Sequence, residues 1–184
     1  MLYTRKGDDG MTYTLASKKR FSKSSSIAEA LGVLDELNSL VGLCKAKSVG
    51  FVLPMENKIL LFDILHNVQE KLFIIQAEIA GSDMSVGQEN IKEIEMIIDT
   101  IEQKLPPVKS FFIPGGSELS AIIDFARTVA RRAEREVIGA RDENMIEISL
   151  NSLSYLNRLS SLLYVLARVI NHEKGIKEKT PSYK

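Results

Sequence analysis

Groups that bind soft metals or act as nucleophiles are scarce in this chain: it has one cysteine, Cys44, and two histidines, His66 and His172, among 184 residues. A lone cysteine cannot close an internal disulfide, and within LNSLVGLCKAK it reads as a small buried hydrophobe suited to a reducing compartment. The histidines lie far apart, and neither has a Cys, His or carboxylate at the spacing of a zinc site, so no metal held by protein ligands is expected. Neither sits near a sharp nucleophile turn such as G-x-S-x-G, which argues against hydrolysis through a covalent enzyme intermediate. Net charge is also missing: 24 basic residues balance 24 acidic ones. Nothing global therefore draws nucleic acid or an anionic membrane, and any anion site must be local. No apolar run reaches membrane-spanning length, and Met1 is followed almost at once by the polar TRKGDDG, leaving no room for a charged leader. The expectation is a protein of the cytoplasm, with no nucleic-acid or membrane partner. There is no repeat of solenoid period and no run of alternating β-branched residues.

What is present is helical periodicity. With 45% apolar residues the chain can bury one core, and a single domain over 1–184 is expected, divided into an arm (1–24), a bundle (25–173) and a tail (174–184). The arm is polar and irregular. Ser26-Ile27-Ala28-Glu29 has capping-box spacing and opens a helix predicted over about 26–47, with Ala30, Leu31, Leu34, Leu37, Val41 and Cys44 inward. Pro54 suits the first turn of a second helix, which carries Leu65, Val68, Leu72 and Ile79 to a stop near Gly81. A third is predicted from Gln88 to Leu105, stopped by Pro106-Pro107. A fourth starts after Gly115-Gly116 with Ser117 as cap and runs to about Gly139. A fifth covers about 143–172, with leucines on more than one side, and the tail beyond it reads as frayed. Five long helices with short connections predict an all-α, five-helix antiparallel bundle with a short irregular N-terminal arm.

Five features carry more polar character than a plain bundle requires. Arg127, Arg131 and Arg135 recur at i, i+4 and i+8 with Glu134 beside them, along the flank of a stripe made by Ile122, Ala126, Val129, Ala130, Ala133 and Val137. Stacked guanidiniums repel unless an anion lies among them, and their planar forks suit phosphate or carboxylate oxygens. The plain alternative is a solvated face with internal Arg–Glu pairs. Tyr3 to Thr12, YTRKGDDGMT, has glycines at 7 and 10 that permit a backbone curl lined with amide hydrogens, with Lys6, Thr4 and Thr12 adding a cation and hydroxyls. The same Asp-Gly pair also suits a simple hairpin turn. Arg20-Phe21-Ser22-Lys23 places a lysine at a helix N-terminus, where a negative ligand is favoured. Asp35 and Asn38 lie one turn apart at the border of the first helix's apolar face, so the carboxylate calls for a partner such as an arginine of the fourth helix, either to hold the fold or to orient the guanidinium. Asn151, Ser154, Asn157, Arg158 and Ser161 form a polar ridge on the fifth helix, to be satisfied by helix packing or by a ligand.

In this order and at these separations the blocks YTRKGDDGMT, RFSK, ALGVLDELNSLVG, FFIPGG, ARTVARRAER and LNRLSSLLYVLAR resemble those of the PduO-type ATP:cob(I)alamin adenosyltransferases, and the likeness spans nearly the whole chain. It implies a homotrimer with ATP between subunits and cobalamin docked beside it, in which reduced cobalt attacks the 5′ carbon and expels triphosphate. Carried over by position, Thr4, Arg5, Lys6, Gly7, Gly10 and Thr12 belong to the arm that closes over the phosphates, and Lys23 contacts them. Arg127 and Arg131 hold the phosphates and neutralise the leaving group, while Glu134 and Asn157 position the nucleotide or its Mg²⁺. Asp35 pairs with Arg127 across the subunit boundary, and Phe111 is the aromatic beneath the corrin that displaces the lower axial ligand.

The resemblance also implies a reductase and a cobalamin-dependent acceptor enzyme as partners. One position departs: where many relatives have Asp after N-R-L-S, this chain has Ser161, which removes a carboxylate from the corrin side. A nucleotide-binding trimer with a regulatory or cobalamin-delivery role, and a structural oligomer without ligand, are the rival readings. In the leading one the cobalt is the nucleophile, so the protein needs no acid–base residue, only alignment, charge stabilisation and exclusion of water.

Overall fold

The computed structural model describes residues 3, 5–14, 20–56 and 58–183. Five helices account for most of them: α1 (Ser26–Lys47), α2 (Leu61–Ile79), α3 (Gln88–Glu102), α4 (Glu118–Asp142) and α5 (Leu150–Glu173). The fold is all-α, apart from two short strands, β1 (Met11–Thr12) and β2 (Phe21–Ser22). The principal helix pairings run α2–α1–α4–α5–α3, so α4 packs against both α1 and α5. It can do so because its inward positions include Ala126, Ala130, Ala133 and Ala140, whose small side chains let both neighbours approach, with Ile123, Val129 and Val137 filling the space between. Ile123, and not Ile122, is the fully buried isoleucine of this face; Ile122 is half-buried against the core.

Helix boundaries differ from expectation where local turn chemistry intervenes. Pro54 does not open α2. Ahead of it the Leu53 amide donates to Ile59 O (2.9 Å) and the Leu61 amide to Phe51 O (3.0 Å), with Lys58 at a φ of 50°. The helix begins after that closure, at Leu61. α4 does not stop at Gly139 but runs to Asp142 and ends on Asn144, which has a φ of 57°. The Met145 amide donates to Ala140 O and the Asn144 amide to Arg141 O, both at 2.9 Å, a Schellman closure with asparagine in the left-handed position. α5 consequently starts at Leu150, where Ser149 accepts the Ser152 amide as cap.

At the other predicted cap, Ser117 and Ser120 satisfy each other's backbone amides as expected of a helix start. The capping box at Ser26 is not formed. Ser25 occupies the N-cap with its hydroxyl donating back to Ser22 O, and the buried Ser26 hydroxyl has no partner among the described residues.

The two ends of the chain are more ordered than their composition suggests. Met11 pairs with Ser22 and Thr12 with Phe21 in an antiparallel ladder, and Phe21 packs on the core, so the arm folds back on the bundle. The tail is not frayed as expected: the Ile113 amide donates to Lys179 O at 2.7 Å, which joins it to the segment between α3 and α4.

Candidate functional site

A cavity of about 740 Å³ opens beside the flank of α4 and is lined by α4, α5, the end of α3, the Val108–Gly115 segment that precedes α4, and Glu178 of the tail. Its volume falls in the range of small-molecule clefts. Arg127 and Arg131 line one side. Phe111, 77% exposed, and the half-buried Phe112 line another. An arginine wall and an aromatic wall therefore share one cleft, the FFIPGG segment leading directly into the Ser117 cap that opens α4.

Arg127 is half-buried and its Nε donates to Asp124 Oδ1 at 2.7 Å, one turn earlier. Asp124, which also lines the cavity, holds the fork in place while leaving the rest of the guanidinium toward the cleft. The sequence did not single it out, although an Asp three residues before an Arg on a helix is a readable signal. Asp35 does not meet Arg127 within the chain; it is exposed and makes no ion pair among the described residues. The α1–α4 carboxylate–arginine contact that does form joins its neighbour Glu36 to Arg132.

Glu134 and Asn157 are brought together, the Asn157 amide donating to Glu134 Oε1 at 2.8 Å. Arg158 donates to the Asn157 carbonyl oxygen (2.8 Å) and to Glu95 (2.9 Å), which fixes the orientation of the Asn157 amide. No group of three or more His, Cys, Asp or Glu among the described residues is arranged to hold a metal ion. The Asn157 oxygen is thus taken by Arg158, which leaves Glu134 as the oxygen donor of the pair, and neither residue lines the cavity.

The arm residues form a second group. Gly10 has a φ of 79°, which an L side chain rarely adopts, and its amide donates to Gly7 O at 3.2 Å. Lys23 closes the curl: its Nζ donates to Gly7 O at 2.7 Å and its backbone amide to Gly10 O at 2.9 Å. A Cβ at Gly7 would meet Lys23 Nζ at 2.9 Å, so a side chain there would make the lysine tip shift. Arg20, overlooked in the sequence, donates to Lys6 O (2.9 Å) and to Asp9 (2.6 Å). That hydrogen bond holds the Asp9 carboxyl below its ordinary pKa. Arg5 lies over the Tyr3 ring and Thr12 is in β1. Thr4 falls outside the described residues. None of the described arm residues lines the cavity, so a single chain presents the curl and the cleft as separate halves.

Burial raises the Tyr164 phenol at the cleft above its ordinary pKa, with the Arg168 charge pulling the other way. Burial alone pushes the Cys44 thiol up to about 12, which fits the inert core role expected of it.

Residues 2–170 match the cobalamin adenosyltransferase family. The corrinoid adenosyltransferase PduO of Citrobacter freundii is 37% identical over 179 residues, covering 94% of this chain and 50% of its own length, so the chain spans about half of that relative. A corrinoid adenosyltransferase of Bacillus subtilis (strain 168) is 35% identical, with 95% of this chain and 89% of that protein covered. A variant PduO-type ATP:corrinoid adenosyltransferase from Lactobacillus reuteri, solved in complex with cobalamin and ATP, superimposes with a TM-score of 0.86 at 30% identity, covering 99% of this chain and 97% of that one.

Proposed function

The chain belongs to the cobalamin adenosyltransferase family, and from that membership we propose that it transfers the 5′-deoxyadenosyl group of ATP to cob(I)alamin, giving adenosylcobalamin and triphosphate. The observation that carries the reading is the single cleft in which Arg127 and Arg131 face the same space as Phe111. In this reaction a cobalt–carbon bond forms as the C5′–O bond breaks, and the triphosphate leaves with the bonding pair. The residues must therefore hold ATP in line and meet the charge that builds on the departing oxygens. Arg127 and Arg131 supply fixed cationic donors for that charge, and Asp124 keeps the Arg127 fork from rotating away. Phe111 offers an apolar face that excludes a water or side-chain ligand from one side of the corrin ring. Glu134 and Asn157 position the nucleotide, and any Mg²⁺ arrives on the phosphates with Glu134 as an additional oxygen donor.

The site is completed between subunits of a homotrimer. Supporting this, the Lys23-closed curl of Lys6, Gly7 and Gly10 does not border the cleft of its own chain, and Asp35 is exposed and unpaired there. A neighbouring copy that places its arm over the cleft and its Asp35 beside Arg127 would satisfy both. Arg5, Thr4 and Thr12 travel with that arm. Among the described residues no helix is long and apolar enough to cross a membrane, and a buried reduced thiol suits the cytoplasm, where a reductase and a cobalamin-dependent acceptor enzyme would be met.

A second reading rests on Ser161, which lines the cleft at a position where the family resemblance implies a carboxylate: an ATP-binding trimer that delivers cobalamin with little turnover. One assay separates the two. Protein, ATP, Mg²⁺ and chemically reduced cobalamin are mixed and the visible spectrum is followed for the cobalt–carbon product. Product formation is the expected result; ATP binding, seen as a thermal shift, without product would favour delivery and reject the transferase.

A further inference from the structure

We propose that Arg168 is a positioning residue, a buried clamp that fixes the Phe111 segment by tying it to the C-terminal tail. Arg168 lies near the end of α5 and is 5% exposed. A guanidinium does not shed its proton, so at that burial every donor direction needs a partner. Its partners come from three places in the chain. Nε donates to Glu178 Oε2 at 3.0 Å, from the tail; Nη2 donates to Pro106 O at 2.9 Å, where the segment before α4 begins; and the guanidinium lies 5.1 Å from the centre of the Phe112 ring, in the middle of that segment. Tyr164, one turn back on α5, closes the other side at 5.9 Å.

The tail adds a backbone tie, since the Ile113 amide donates to Lys179 O at 2.7 Å. Phe111 is left 77% exposed at the cleft with its immediate neighbour held by the clamp. Arg168 and Glu178 line the inner end of the cleft, but Nε and Nη2 of the arginine are already committed to Glu178 and Pro106. Arg168 is not plain core filling, because apart from Tyr164 these partners belong to the segments flanking Phe111. Without Glu178 the buried charge loses its carboxylate, and the Pro106–Pro114 segment loses the group that spans it. The tail thereby sets how firmly the aromatic wall of the cleft is placed.

This inference rests on the transferase reading for its kinetic arm but not for its structural one. Full-length wild type, Arg168→Met and Glu178→Gln are compared by backbone amide exchange over residues 108–115, thermal melting, and separate KM values for cob(I)alamin and ATP. Exchange at Ile113 is expected to rise about tenfold in both variants while the exchange of α1 and α4 holds. The corrinoid KM is expected to rise about tenfold with the ATP KM changing by less than about twofold. Unaltered exchange at 108–115 in Glu178→Gln, which removes only a charge, would overturn the clamp. Equal rises in both KM values would overturn its specificity for the aromatic wall and reduce Arg168 to a structural residue. A wild type that turns over no corrinoid would refute the transferase reading, and the exchange data would still decide whether Arg168 positions the segment.

Discussion

Two non-helical stretches carry the expected ligands, and they are held in opposite ways. The arm is fastened by exposed groups: Arg20 and Lys23 reach back to the carbonyls of Lys6 and Gly7, and β1–β2 is two residues long. The Phe111 segment is fastened from beneath by a buried arginine and by the tail. Exposed charge contacts are each worth little and exchange easily with water or a phosphate, whereas a buried guanidinium commits its partners. The difference teaches that the arm is held by contacts that water can replace at little cost, while the Phe111 segment is held by a buried charge that cannot be released so cheaply.

The largest expected effect falls on the cleft that the Phe111 segment borders. Arg127→Lys should lower kcat by about a hundredfold or more, because a point charge replaces a fork aimed by Asp124; circular dichroism and melting should be nearly unchanged, since the Arg127–Asp124 pair is only part-buried. Turnover that survives would remove Arg127 from the mechanism.

The next test breaks the aromatic wall in two. Phe111→Ala should cut turnover about tenfold or more without a loss of stability, as the ring is exposed. Phe112→Ala removes the ring under Arg168 and should cost about 1–2 kcal/mol of stability. If Phe112→Ala were neutral in denaturant unfolding, the firmness assigned to the segment would be wrong.

Deleting residues 1–12 should raise the ATP KM several-fold, about five to tenfold, with the melting temperature of the bundle retained. Loss of the proposed homotrimer on deletion would contradict an arm that only covers the nucleotide.

Acid sharpens the contrast with a smaller effect. The Arg20 hydrogen bond lowers the Asp9 pKa below its ordinary 3.8, so its contribution to arm order is complete above that value and is lost as pH falls through the lowered one. Amide exchange at Met11, whose N–H donates to Asp9, should show no protection change attributable to Asp9 between neutral pH and about pH 5, and should lose protection only under stronger acid. Arg20→Gln should bring that loss to higher pH.

Much of this was legible in the residues. Periodic apolar positions gave all five helices, since a stripe recurring every three or four residues has no other low-energy use in a chain this size. The α4 arginines were equally readable, because helical spacing alone stacks them on one flank. Glycines 7 and 10 pointed to a backbone curl for the same local reason. The start of α2 and the stop of α4 were misjudged where a proline and a glycine were given weight that Lys58 and Asn144 actually carry through their left-handed backbone.

The primary structure by itself determined which segments coil, which flank of α4 is cationic, and where the arm's backbone can curl, because each depends on neighbours within a turn or two. Only the tertiary structure decided that Arg168, one polar residue at the end of a leucine-rich helix, is buried, and that Pro106, Phe112 and Glu178 converge on it. Its contact with Pro106 spans 62 positions. Such convergence follows from how α5, the segment before α4 and the tail pack together, and no local spacing encodes it.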